Sequence, residues 1–150
     1  MGANQYGSYD AEVISAAQAD AGLTPTAYSA GAADLFIFTA RRPMWVMGLG
    51  CEVTTAYTVP TTAQVVALDF RPTHNSDVGR LEKTTITMGS VRADGLVVHK
   101  RIDGFKVLPG QQVVIEQKTQ GAVGAGAANW FLLACPIPES DNNCANLEVQ

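Results

Sequence analysis

The segment Met44-Trp-Val-Met-Gly-Leu-Gly-Cys-Glu-Val-Thr-Thr-Ala56 carries an apolar side chain at every odd position from Trp45 to Val53. The even positions include Gly48, Gly50, Glu52 and Thr54. Successive side chains of a strand point to opposite faces, so this period of two gathers Trp45, Met47, Leu49, Cys51 and Val53 on one side. A helix would scatter the same residues around its axis. The segment is therefore expected to be a strand with one face on a core. Gly48 and Gly50 leave the other face bare, which predicts a bulge or the close approach of a neighbouring backbone.

Further strand patterns follow at short intervals. ADLFIFTA (33–40) is an apolar, aromatic run that ends at Arg41-Arg42-Pro43, and AQVVALDF (63–70) places Val66, Leu68 and Phe70 on one face. RPTHNSDVG (71–79) is loop chemistry, with Pro, Asn, Ser, Asp and Gly in close succession. TTITM (84–88) and LVVHKRI (96–102) are separated by Arg92-Ala93-Asp94-Gly95, and Asp-Gly is a tight-turn signal. Asp103-Gly104 predicts another reversal before FKVL. Leu108-Pro109-Gly110-Gln111 predicts a type II turn, with Pro presetting φ and Gly taking positive φ. QVVIEQK (112–118) and NWFLLA (129–134) close the series, and Pro136 and Pro138 stop it.

Seven or eight short strands thus follow residue 32, with no helical period between them. Parallel pairing needs crossovers of a dozen or more residues, and the spacing leaves no room for them. The expected fold is all-β, an antiparallel β-sandwich or jelly roll spanning residues 33–138. Residues 1–32 form an N-terminal arm and 139–150 an acidic C-terminal tail. Within the arm, AEVISAAQADAG supports either a short helix, capped by Ser8 or Asp10 and stopped at Gly22, or an extended segment. The extended arm, ordered by lying on another subunit, is the preferred reading.

Composition narrows the function. At 150 residues the chain has the length of one domain. No run approaches the roughly 20 apolar residues of a membrane span, and MGANQYGSYDAEV lacks the basic and apolar regions of a secretory signal. Neither a membrane nor secretion is expected. Three cysteines make no disulfide framework, although Cys135 and Cys144 are close enough in sequence to bridge in an oxidising medium. The net charge of −4 is unevenly spread: residues 1–40 hold Asp10, Glu12, Asp20 and Asp34 but no Lys or Arg. All 10 basic residues lie between Arg41 and Lys118. Arg41-Arg42 and Lys100-Arg101 are adjacent pairs, and strand neighbours point to opposite faces, so neither makes a patch for nucleic acid.

No catalytic constellation emerges. Gly121, Gly124 and Gly126 precede the strand-like NWFLLA rather than a helix, which argues for a long hairpin loop and against a phosphate cradle. His74 and His99 are 25 positions apart and lack the spacing of a cupin-type metal centre, so no metal and no cofactor are expected. His99 reads as an exposed neighbour of Lys100 and Arg101. Ser76, His74 and Asp77 crowd one turn without the frame a triad requires. Asp69, Asp77 and Glu82 read as solvated loop and strand-end charges. Trp45 and Trp130 read as core or interface anchors, and Cys51 as a small core hydrophobe. The chain is not expected to be an enzyme.

Two longer stretches carry a resemblance. QVVALDFRPTHNSDVGRLEKTTITM and GLVVHKRIDGFKVLPGQQVVIEQKTQGAVGAGAANWFLL resemble tailed-bacteriophage capsid decoration (cement) proteins of β-sandwich or jelly-roll type. The similar features are ALD-R----SD-GR, V-PG--VV-E and the Gly/Ala-rich loop before a final aromatic strand, over residues 63–134. The resemblance implies a virion protein on the capsid surface, made in the host cytoplasm. It further implies a homotrimer that bridges neighbouring major capsid protein subunits. On that reading the arm reaches the partner, with Tyr6, Tyr9, Asp10 and Tyr28 as contact residues. The alternative is a receptor- or carbohydrate-binding sandwich of fibre-tip type, in which the loop His74-Asn75-Ser76-Asp77 contacts a sugar. A cupin-type enzyme ranks third.

Overall fold

A computed structural model describes residues 12–15, 19–20, 26–27, 33–58, 64–88, 97–118 and 125–137. Among them are nine strands and no helix: β1 (Glu12–Ile14), β2 (Thr26–Ala27), β3 (Ala33–Thr39), β4 (Met44–Thr58), β5 (Val65–Arg71), β6 (Leu81–Thr87), β7 (Val97–Val107), β8 (Gln112–Gln117) and β9 (Ala125–Pro136). One sheet runs β1-β9-β4-β7, with β2 also on β9, and the other runs β3-β8-β5-β6. Every pairing is antiparallel. The pairs nest: β5 with β6, β4 with β7, β3 with β8 and β2 with β9. Such nesting is one long hairpin rolled into two layers, the jelly-roll form of the expected sandwich.

The layers close over Phe36, Leu49, Leu68, Ile115, Trp130 and Leu132, all at most 2% exposed. Each such side chain contributes about 1.5–3 kcal/mol relative to leaving it in water. Cys51 belongs to this core, and burial pushes its thiol up to about 12 against a smaller opposing effect of a backbone hydrogen bond at Val98. The thiol is therefore neutral at physiological pH.

The alternation in β4 holds only from Leu49 onward. Leu49, Cys51 and Val53 face the core, as expected, but so do Met44 and Val46, while Trp45 and Met47 are partly exposed. The register against β9 slips between Val46 and Gly48, where β4 holds one residue more than its partner. This bulge reverses the phase of the strand, because one extra residue moves every later side chain to the other face. Gly48 sits there at φ +154°, and a Cβ would lie 2.2 Å from Lys100 O. Both readings of the two glycines hold, since a Cβ on Gly50 would lie 2.8 Å from the backbone carbonyl Val98 O as well as 2.5 Å from the Phe131 ring.

Three turn expectations need correction. Asp103-Gly104 does not reverse the chain: β7 runs through it, with Gly104 at φ +101° in a bulge that places Arg101 opposite Gly48 and Phe105 opposite Val46. β6 and β7 are not a hairpin, because they belong to different sheets. The same is true of β8 and β9, so the Gly/Ala-rich connection crosses between layers instead of closing a hairpin. Nested pairing forces these crossings. By contrast, Pro109-Gly110 turns as expected, with Gly110 at φ +88° and Gln111 N–H donating to Leu108 O at 3.0 Å. At the N-terminal end the described residues are extended rather than helical. Val13 lies opposite Leu133 on β9, and Asp20 N–H donates to Ile37 O.

Candidate functional site

The β5–β6 loop lies across the outer face of the β3-β8-β5-β6 sheet. Leu68 points into the core, so Asp69 and Arg71 point outward, yet they are 1% and 6% exposed. What covers them is the loop's own Arg80 and Asp77. Arg80 Nε donates to Asp69 Oδ2 at 2.8 Å, Nη1 to Asp77 Oδ1 at 2.9 Å and Nη2 to Asp34 Oδ1 at 3.0 Å. Arg71 Nη2 reaches Asp77 at 2.9 Å and Asp34 at 3.2 Å. Lys118 adds Glu116 at 2.6 Å, with Asp69 and Glu82 each at 3.6 Å. Within the loop, Ser76 N–H donates to Thr73 O, Val78 N–H to Ser76 Oγ and Arg80 N–H to Asp77 O.

These charges explain one another. Hydrogen bonds from Arg80, then from Arg71, hold the Asp77 carboxyl below its ordinary range. Burial alone would lower the Arg80 and Lys118 values, but the carboxylates around each more than offset it, and both are raised. The expectation of merely solvated charge is thereby corrected for Asp69 and Asp77, whereas Glu82 is exposed at the start of β6 as expected, with Lys118 Nζ 3.6 Å away. Asp69 is a buried member of the ion network, and Asp77 bridges two arginines although it is itself exposed. The ALD-R----SD-GR pattern is this clasp: Asp69, Arg71, Asp77 and Arg80 supply its charges and Gly79, at φ +76°, its turn. The signal was present in the strand period, which puts Asp69 and Arg71 on the face opposite Leu68.

Beside the clasp is an open cleft of about 390 Å3 lined by Asp20, Ile37, Thr39, Arg41, His74, Asn75 and Gln112. Gln112, 1% exposed, is its anchor. Gln112 Oε1 accepts from Arg71 Nη1 and from Asn75 N–H, and its Nε2 donates to Thr39 Oγ1 and Asn75 Oδ1. Thr39 Oγ1 in turn donates to Asp20 Oδ2.

The outer face of the β1-β9-β4-β7 sheet is different in kind. Trp45, Met47, Phe131 and Leu133 are partly exposed there, and Val13 is 53% exposed. Trp45 and Met47 flank Gly104, each with a carbon 3.6 Å from where its Cβ would be, while the Phe131 ring lies over Gly50. His99 and Arg101, opposite Gly50 and Gly48 on β7, border this apolar stripe. At the sandwich side, Lys83 Nζ sits 5.0 Å from the Phe105 ring centroid and 5.7 Å from that of Phe70, and Lys100 Nζ donates to Thr85 O. These contacts join β6 to β7 across the two layers.

Of the residues expected to contact a partner, Tyr6, Tyr9, Asp10 and Tyr28 all lie outside the described residues, as does Cys144. His74 is exposed at the cleft and His99 is exposed on β7, so different layers hold the two imidazoles. Among the described residues no group of three or more His, Cys, Asp or Glu side chains is placed to hold a metal ion. Ser76 Oγ is engaged in its own turn and Asp77 in the clasp. Trp130 is core at 2% exposure, whereas Trp45 is on the outer surface.

No protein-family model and no curated protein matches this chain. A solved structure of the infectious bursal disease virus Gx strain aligns with 84% of this chain and 32% of that one, at 13% identity and a TM-score of 0.36. At that score the likeness carries no argument. The functional reading stands on the two outer faces themselves.

Proposed function

We propose that this protein is a structural component of a virus particle, a decoration module that binds the outside of a phage capsid and bridges neighbouring major capsid protein subunits. The observation that carries the reading is the outer face of the β4–β9 layer. A free-standing antiparallel sandwich places polar side chains outward. Here Trp45, Met47, Phe131, Leu133 and Val13 occupy that surface, beside Arg101. Trp, Met, Phe and Arg are the residue types enriched where proteins meet. Contacts to several subunits at once make release improbable even when each is weak. The sequence resemblance over residues 63–134 points the same way.

Co-sedimentation with capsids stripped of the protein tests the proposal. Wild-type chain is expected to bind and Trp45→Ser to bind at least about tenfold more weakly. Equal binding by the two would refute this face as the contact. Native mass in solution tests the trimer, for which a monomer at all concentrations is the contrary result. The alternative, a receptor- or carbohydrate-binding module, draws on the cleft beside His74 and Asn75.

A further inference from the structure

We infer that the cleft between Asp20, Arg41 and the His74-Asn75 turn binds a sugar bearing a carboxylate, such as a uronic or sialic acid unit. Its volume of about 390 Å3 falls within the roughly 300–1,000 Å3 of small-ligand sites. More telling is how the fold has allotted its polar atoms. Gln112 uses both ends of its amide on Arg71, Thr39 and Asn75, and is closed to a ligand. The bond to Asn75 Oδ1 occupies that residue's acceptor and leaves its Nδ2 as the donor available to a ligand. Asn75 is also held at φ +55°, the single non-glycine residue with positive φ among those described. Asn is among the side chains that tolerate this region, and a donor fixed in advance loses less freedom on binding.

Arg41 completes the argument. Unlike Arg71 and Arg80, it makes no ion pair among the described residues, and it lines the cleft exposed. A guanidinium matches a carboxylate with two parallel hydrogen bonds. Asp20 faces the same space, with Oδ2 accepting from Thr39 and Oδ1 left as an acceptor. Its negative charge disfavours a ligand that is anionic throughout, and its acceptor suits hydroxyl groups. One carboxylate beside several hydroxyls satisfies Arg41, Asp20 and Asn75 together. Among the described residues Ile37 is the single apolar lining residue and no Phe, Tyr or Trp lines the cleft, so recognition depends on charge and hydrogen bonds. This inference is independent of the capsid reading.

Titration of the full chain with glucuronic acid, N-acetylneuraminic acid, glucose and N-acetylglutamate, followed by calorimetry and by NMR shifts, tests it. At least one acidic sugar is expected to bind in the millimolar range, with glucose and N-acetylglutamate at least about tenfold weaker. Arg41→Ala should weaken the acidic sugar by at least about tenfold, and Asn75→Asp, which keeps the turn but replaces the donor, should weaken it as well. Unchanged thermal melting of both variants would confirm that they are folded. Failure of both acidic sugars to bind, equal binding of glucose, or indifference to Arg41→Ala would overturn the inference. Equal binding of N-acetylglutamate would reassign the cleft to protein carboxylates and overturn it too.

Discussion

On the outer side of the β5–β8 layer, Asp69 and Arg71 are buried by residues of the same chain. On the outer side of the β4–β9 layer, Trp45, Met47, Phe131 and Leu133 are left partly exposed. The first surface is polar and closed; the second is apolar and open. A charged loop motif would ordinarily be taken for the working part of a protein, and an apolar strand face for its interior. Here the burial runs the other way. The ionic residues hold a nine-residue loop against the sheet, and the apolar ones face outward where a partner can cover them.

The largest effect expected is on the closed side. Arg80→Ala removes the guanidinium that reaches Asp69, Asp77 and Asp34, and leaves Asp69 buried with Lys118 Nζ at 3.6 Å as its remaining cation. Breaking a buried pair from one side costs roughly 3–5 kcal/mol, and the surviving lysine places this case near about 3 kcal/mol. Urea unfolding measures it. The double variant Asp69→Leu/Arg80→Met should lose less than Arg80→Ala alone, because it leaves no stranded charge. A loss below about 1 kcal/mol for Arg80→Ala would mean that the clasp is an ordinary surface network.

Next is the support beneath the open side. Gly50→Val places a Cβ 2.5 Å from Phe131 Cζ and 2.8 Å from Val98 O. The ring can tilt away but the carbonyl cannot, so a cost of about 2 kcal/mol is expected from overpacking. Thermal melting reads the stability, and loss of partner binding beyond that explained by unfolding would show that the position of Phe131 matters to the surface.

How far the sequence announced this contrast depends on the range of the interaction. The sandwich was legible because period-two alternation is local, and the strands expected at 33–40, 63–70 and 112–118 match β3, β5 and β8 closely. The phase of β4 was not legible. Val46 is as apolar as its neighbours, and only the pairing with β9 reveals the extra residue at Met47-Gly48 that turns Trp45 outward. The Asp-Gly signal at 103–104 misled for a related reason: positive φ at Gly104 serves a bulge as well as a turn. The crossings between layers were hidden because nested pairing is a property of the whole chain. The clasp was half visible, since Asp69 and Arg71 shared a face, but nothing local said that Asp34 and Glu116 would meet Arg80 from β3 and β8.

The open face itself is best probed by a substitution that spares the fold. Trp45→Ser removes a partly exposed side chain, so the stability change should stay within about 1 kcal/mol, while association with the partner falls at least about tenfold. Deleting residues 1–11 separates the arm from the face: it removes Tyr6, Tyr9 and Asp10 but spares β1 and β2, which pair with β9. Reduced association with an unchanged melting temperature would place a contact in the first eleven residues; unchanged association would leave Tyr28 and the β4–β9 surface as the candidates.

The smallest effect concerns how the clasp responds to acid. Hydrogen bonds from Arg80, then Arg71, depress the Asp77 carboxyl below 3.8, so the folded protein holds that proton less tightly than the unfolded chain. Its contribution to stability is complete above the unfolded value and is lost as pH falls through the lower folded one. Asp77→Asn removes the charge at every pH. The difference in melting temperature between wild type and Asp77→Asn should therefore be constant at neutral pH and shrink on acidification below about pH 4. Because Asp77 is itself solvent-exposed, water screens the pair and the difference stays small. A gap that widened in acid would mean that Asp77 is not held as an anion by the two arginines, and the closed face would then owe its structure to Asp69, Asp34 and Glu116.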